Sequence, residues 1–217
     1  TESSPRPSLK PEEPKGPVAP MAGRVGIMNL LGNELKHVHA GTFGGSERAF
    51  NVQYDFGGYV MEELRKALLS KTPYQPVVVN STGALRKAAH EWQGTWNGER
   101  FGDVYQREFD GIIKQNQLAM LIIVSYPPMK DGQFLSGTEL IGSGMYTRSV
   151  LGSTKVAVFS SLQFYRLVGV PAKLVMPIAP ADDRGLGDLP NVKLPDDLED
   201  LAPRYLVPVY EPLRTIV

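Results

Sequence analysis

The sequence has no cysteine in its 217 residues. This absence excludes disulfide bonds, cysteine-ligated zinc and thiol catalysis together. Chains without cysteine are common in bacterial envelope compartments, where a stray thiol is oxidised, and also among small cytosolic proteins. We take the absence as support for an envelope location.

A charge excess and a long apolar run are missing as well. Lys+Arg and Asp+Glu both number 23, so the formal net charge is zero. Nucleic-acid binders need clustered excess Lys and Arg, so we expect no nucleic-acid partner. The richest apolar run, Leu118 to Val124, falls far short of the roughly 18–20 residues that span a bilayer. The sequence therefore predicts no transmembrane segment.

Proline is concentrated at the start of the chain, where six of the 18 prolines fall within the first 20 residues. Hydrophobic residues are nearly absent there, so the segment cannot bury enough surface to fold alone. We expect residues 1–21 to form an extended tether or docking arm, and residues 22–217 a single domain. The tether would suit a membrane anchor upstream of Thr1. If the arm docks on a partner, its candidate interface residues are Pro5, Pro7, Pro11 and Pro14.

Strands and helices interleave in the first half of the domain. The pattern predicts a strand at 24–32 in a hairpin with a second strand at 35–43, and a glycine-rich loop at 41–48. Helical spacing predicts a helix at 58–71 with Asp55 as a nearby cap. The further elements expected are a short buried strand at 74–80, helices at 82–92 and 103–117 (the latter capped by Asp103), and a central strand at 118–126.

The second half changes character. Three β segments, at 138–152, 154–169 and 171–180, follow one another with short Gly/Pro breaks and no helix between them. That pattern is typical of an antiparallel meander. A short helix is expected in the segment around 196–202, and the prolines after residue 202 argue against a continuous helix there. The predicted fold class is α/β: a mixed sheet with a parallel αβ first half and an antiparallel meander second half, with helices packed on the sheet.

Ser81, Thr82 and Gly83 stand where a strand should pass into a helix. Backbone N–H groups and hydroxyls at such a turn can hold an anion, and ligands sit at the carboxyl ends of strands in open α/β sheets. The longer P-loop and dinucleotide patterns are absent. The other interpretation is that Asn80 or Ser81 merely caps the helix.

Other candidates for chemistry are sparse. His37 and His39 would share one face of a strand, as zinc pairs do, but the third histidine, His90, falls in a predicted helix. A solvent-facing strand edge is the more ordinary setting, and we expect neither a metal nor another cofactor. A serine hydrolase using Ser81 or Ser143 with His90 stays open, although the G-x-S-x-G pattern is missing.

Trp92 and Trp96 flank a loop that also carries Phe101. Such aromatic clusters can stack on sugars or peptides or form an interface. We assign Trp92 to the core and keep Trp96 as a candidate interface residue.

Residues 139–176, "ELIGSGMYTRSVLGSTKVAVFSSLQFYRLVGVPAKLVM", follow a helix and buried strand, "FDGIIKQNQLAMLIIVSY". This arrangement resembles bacterial envelope α/β domains of the curli-secretion lipoproteins, the penicillin-binding-protein activators and the N-terminal domain of the Tol-Pal β-propeller protein. Gly169 and Pro171 depart from the Asp and Gly usual in that family. The resemblance implies a location in the bacterial periplasm or at the outer-membrane periphery, and work by binding and assembly.

The sequence thus favours a non-enzymatic assembly component that binds protein partners, or further copies of itself, through its arm and sheet edges. The alternative is a small anionic-ligand binder or serine-type hydrolase built on Ser81, Thr82 and Gly83.

Overall fold

The computed structural model describes residues 23–42, 44–51, 53–87, 91–130, 138–175, 186–189, 193–195, 198 and 202–216. The proposed arm with its four interface prolines lies outside the described residues, as do His90 and most of the short helix expected at 196–202.

Among the described residues, twelve strands are grouped in two five-stranded sheets and one two-stranded ribbon. The strands are β1 (Arg24–Asn29), β2 (Glu34–Ala40), β3 (Gly45–Asn51), β4 (Gln75–Val78), β5 (Leu118–Ser125), β6 (Met129–Lys130), β7 (Glu139–Leu140), β8 (Ser143–Val150), β9 (Ser153–Ser160), β10 (Gln163–Val168), β11 (Lys173–Leu174) and β12 (Leu186–Asp188). The helices are α1 (Phe56–Lys71), α2 (Gly83–Lys87), α3 (Asp103–Gln115) and α4 (Tyr210–Ile216), with 3-10 helices at Trp92–Thr95 and Pro203–Val209.

The first sheet, sheet A, has the order β11-β10-β5-β1-β4. Its strands β4, β1 and β5 are parallel, whereas β10 and β11 join antiparallel. The second, sheet B, has the order β12-β9-β8-β2-β3, and of its described strand pairs β2–β8 is parallel and the others are antiparallel. The α/β fold class is therefore confirmed, with two mixed sheets where the sequence predicted one.

Alternation along β1 and β5 directs side chains to two separate cores. Val25, Ile27, Ile122 and Val124 face α1, the inner face of sheet B and the C-terminal helices. On the opposite face, Met28, Leu121 and Ile123 join the core beneath α2 and α3. The two long helices of the first half thus cover opposite faces of sheet A.

The helices begin close to where the sequence places them. Asp55 caps α1, as predicted, because its Oδ1 accepts a hydrogen bond from the Gly58 amide at 2.8 Å. At α3 the cap position is Gly102, so Asp103 was wrongly predicted as the cap. Asp103 is instead the first helical residue, where its negative charge complements the helix dipole.

The predicted hairpin of the first two strands is wrong. β1 lies between β4 and β5 in sheet A, while β2 belongs to sheet B. Leu30 and Leu31, which follow β1, are both buried, at 6% and 8% exposure. An apolar link of this kind crosses a core, so the chain moves to the other sheet instead of turning back on itself. β2 forms its hairpin with β3, which begins inside the predicted 41–48 loop.

The predicted meander is likewise divided between the sheets. β8 and β9 form an antiparallel hairpin, but the chain leaves sheet B after Ser160 and enters sheet A as β10. Serine hydroxyls satisfy the backbone at this crossing: Ser161 Oγ accepts from the Gly142 amide at 2.9 Å, and Ser160 Oγ from the Leu162 amide at 3.4 Å. A strand can therefore change sheets there without leaving buried donors unpaired.

Two further expectations need correction. β4 is an edge strand with Val78 65% exposed, so it is not the buried strand predicted. Residues 203–216 are helical, as the 3-10 helix continues directly into α4. Pro203 lies at the start of the 3-10 helix, where the missing N–H has no helical partner to lose, whereas Pro208 lies inside that helix. Among the described residues, the helices are too short or too polar to cross a membrane.

Candidate functional site

A crevice of about 670 Å³ opens at the carboxyl ends of β1 and β4. Its apolar wall includes Met61 of α1 and the exposed Val78. Its polar lining consists of three asparagines, a serine and an arginine, namely Asn29, Asn33, Asn80, Ser81 and Arg86. The described residues of the crevice therefore offer amide and hydroxyl groups together with the guanidinium of Arg86.

Local hydrogen bonds determine what the predicted Ser81-Thr82-Gly83 turn does. Thr82 caps α2, since its Oγ1 accepts from the Leu85 amide at 3.3 Å, so Asn80 and Ser81 were the wrong residues for that role. Ser81 instead faces the crevice, and its Oγ accepts a hydrogen bond from Arg86 Nε at 2.7 Å. Gly83 is exposed at the start of α2, and neither it nor Thr82 lines the crevice.

Sequence reasoning missed most of the polar lining. Asn29 directly follows the apolar part of β1, and Asn80 comes two residues after β4. Side chains that follow neighbouring parallel strands meet at one edge of the sheet, and this signal was available. The Oδ1 atom of Asn29 already accepts a hydrogen bond from the Leu31 amide at 2.8 Å.

A second cavity of about 360 Å³ shares Leu30 and Gly32 with the crevice and is also lined by Tyr126. Ser143 lies behind Tyr126, and its Oγ contacts Tyr126 Oη at 2.9 Å and Ser160 Oγ at 2.7 Å. Burial raises the pKa of Tyr126 to about 12. Ser143 is completely buried and bonded to two hydroxyls, so it lacks both the base and the access that a nucleophile needs.

The two histidines of β2 converge on one hydroxyl. His37 Nε2 lies 2.8 Å and His39 Nδ1 2.9 Å from Thr147 Oγ1 on β8. His37 is only 1% exposed, so the predicted solvent-facing setting is wrong for it. Burial, with the neighbouring charges of His39 and Arg48, lowers the pKa of His37 to about 4.

The Thr147 hydroxyl between the two histidines is not open to a substrate. Thr147 is completely buried, which denies a substrate access to its hydroxyl. Within the described ranges, no group of three or more His, Asp or Glu side chains is placed to hold a metal. The pair is best understood as a buried hydrogen-bonded contact between β2 and β8.

The tryptophans lie in the core beneath α3. Trp92 is fully buried and packs edge-on against Phe109 and Tyr165. Trp96 is partly buried, with its ring centroid 4.7 Å from that of Phe101. Part of the Trp96 side chain thus packs against the core, and the exposed part of the ring is accessible to a partner.

The edges of the two sheets differ in what they expose. β11 and β12 have two and three residues, and β4 has four with Pro76 inside it. β3 has seven residues and no proline, and its pairing with β2 accounts for one side only. Among the described residues, no strand pairs with the other side of β3.

Comparison with known proteins adds little. No protein-family model matches the chain, and no curated protein sequence matches it. A solved structure, the LpoB C-terminal domain from Salmonella enterica, is similar at 13% identity over 78% of this chain and 84% of that chain, with a TM-score of 0.28. A TM-score this low establishes neither a shared fold nor a shared function, so the resemblance to envelope domains stays a prediction.

Proposed function

We propose that the chain is a non-enzymatic assembly domain that binds protein partners by strand addition at the outer edge of β3. The observation that carries the proposal is the seven-residue, proline-free edge left unpaired among the described residues. An extended segment of another protein can add to such an edge through main-chain hydrogen bonds. Natural proteins commonly shorten or cover edges that are not used in this way.

The register shows which backbone groups a partner would meet. The Gly41 amide donates to the Gly44 carbonyl at 2.6 Å, which marks this pair as hydrogen-bonded. Hydrogen-bonded pairs alternate along an antiparallel ladder, so Arg48 and Phe50 direct their N–H and C=O groups to β2. Glu47 and Ala49 direct theirs outward, to the free edge.

The contrast with β4 supports this choice of edge. Val79 N–H donates to the Ile27 carbonyl of β1 at 2.9 Å, so alternate residues 75, 77 and 79 face β1. Pro76 therefore occupies a position whose N–H would point away from the sheet. Proline removes a donor at that place, which makes β4 a poor template for another strand.

We place this activity in the bacterial envelope. The support is the absence of cysteine and the sequence resemblance of residues 139–176 to envelope α/β domains. The partner is a different protein or a second copy of the chain, and the proline-rich arm would add a second contact or a tether.

Site-specific photo-crosslinking in the native host tests the proposal. A photoreactive residue at Glu47 should give a discrete crosslinked protein, whose mass distinguishes a second copy from another partner. The matched control is Glu62 on α1, which is similarly exposed, at 46% against 49%, and also pairs with a cation.

A backbone substitution then identifies strand addition as the mode of binding. Ala49→Pro removes an outward N–H while leaving the hydrogen bonds to β2 intact, so the Glu47 product should disappear. Ala49→Ser keeps the N–H and should retain it. The proposal is wrong if position 47 crosslinks no better than position 62, or if Ala49→Pro leaves the product unchanged.

A further inference from the structure

The crevice at β1 and β4 lies at a topological switch point of sheet A. After β1 the chain leads towards α1 on one face of the sheet, while after β4 it leads to α2 and α3 on the other. The two connections separate above the carboxyl ends of adjacent parallel strands. In open α/β sheets this is the place where ligands bind.

The polar groups of the crevice are suited to an anion. Arg86 is exposed at its rim and uses Nε for Ser81. Within the part of the chain that the structure describes, Arg86 makes no ion pair with an Asp or Glu. A guanidinium whose Nε is already oriented can present its remaining N–H donors to a carboxylate or phosphate in a fixed geometry.

The remaining lining favours an organic ligand over a bare ion. The volume of about 670 Å³ lies in the range that holds small-molecule ligands. Asn33 and Asn80 supply amide donors and acceptors, and Met61 and Val78 supply apolar contact. A ligand with one anionic group and several hydroxyls or carbonyls would use each of these features.

We propose that this crevice binds a small organic anion, with its carboxylate or phosphate on Arg86 and its polar groups on the asparagine amides. The assignment goes beyond strand addition at β3, which involves none of these residues. It also gives Ser81 a specific part, which is to orient Arg86.

Nuclear magnetic resonance titration of the purified full chain tests the assignment, with inorganic phosphate, glucose 6-phosphate and citrate as separate probes. At least one organic probe should give saturable shifts at the side-chain amides of Asn33 and Asn80. Inorganic phosphate should bind more weakly than glucose 6-phosphate, because it lacks the groups that reach the amides.

Two charge-matched variants on the same short helix complete the test. Arg86→Gln should weaken binding by about tenfold or more, because the charge-assisted bonds are lost. Lys87→Gln makes the same change of charge at an exposed position outside the crevice and should leave binding unchanged. The assignment is overturned if no probe saturates, or if the two variants titrate alike.

Discussion

At the scale of single residues, Thr147 is placed between two imidazole rings. A hydroxyl can donate to one ring and accept from the other, so both hydrogen bonds of Thr147 can form with both histidines neutral. His37 Nδ1 is buried without a partner in the structure. A positive charge on His37 would thus be poorly solvated, which agrees with the lowered pKa.

The His37 pKa predicts a pH dependence of stability. The folded-state pKa is about 4 and the ordinary value is 6.5, so the unfolded chain binds the proton more tightly. The contribution to stability is fully present above pH 6.5 and is lost as pH falls towards 4, by about 3 kcal/mol in total. Urea unfolding should show this loss in the native chain and a correspondingly smaller loss in His37→Gln. Equal losses in the two proteins would contradict the account.

Leu151 provides a second test at this scale. It is 94% exposed at the β8–β9 turn and has φ +49°, a conformation that asparagine adopts more easily. Leu151→Asn should therefore raise the free energy of unfolding, by about 0.5–1 kcal/mol. The same change at Leu69, exposed in α1, should lower it by about 0.5 kcal/mol, because asparagine is a poorer helix former. Thermal unfolding of both variants checks the opposite signs.

At the scale of elements, local patterns predicted most helices and strands but not their partners. The alternation in β2 and the buried run in β5 identified these strands, and the helical spacing in α1 and α3 identified the helices. Whether β1 and β2 share a sheet depends on long-range pairing with β4, β5 and β8, which no local pattern contains. The passage of the chain from sheet B to sheet A after β9 also depends on long-range pairing, here of β10 with β5, so the local pattern did not predict it.

The candidate site shows the same limit. Ser81 was found from its position between a strand and a helix. Arg86 was not, although its contact with Ser81 is local, five residues along the chain. Asn33 was not found because it joins Ser81 only when the link after β1 is brought to the same edge of sheet A. The residue that caps α2 is Thr82 and not Ser81, a difference of one position. Helix boundaries predicted from sequence are not accurate to one residue.

At the scale of the whole molecule, the two sheets divide the surface into regions with different uses. The carboxyl edge of sheet A carries the crevice, and the far edge of sheet B carries β3. The remaining edges are short or contain proline. This division gives the protein one surface suited to a small ligand and another suited to an extended polypeptide.

Residue-resolved amide hydrogen exchange on the dilute, full-length protein tests the free β3 edge most directly. Protection should alternate along the strand: Arg48 and Phe50, which bond to β2, should exchange slowly, and Glu47 and Ala49, which point outward, should exchange fast. If all four amides are equally protected in the monomer, the edge is already covered and strand addition at β3 is contradicted.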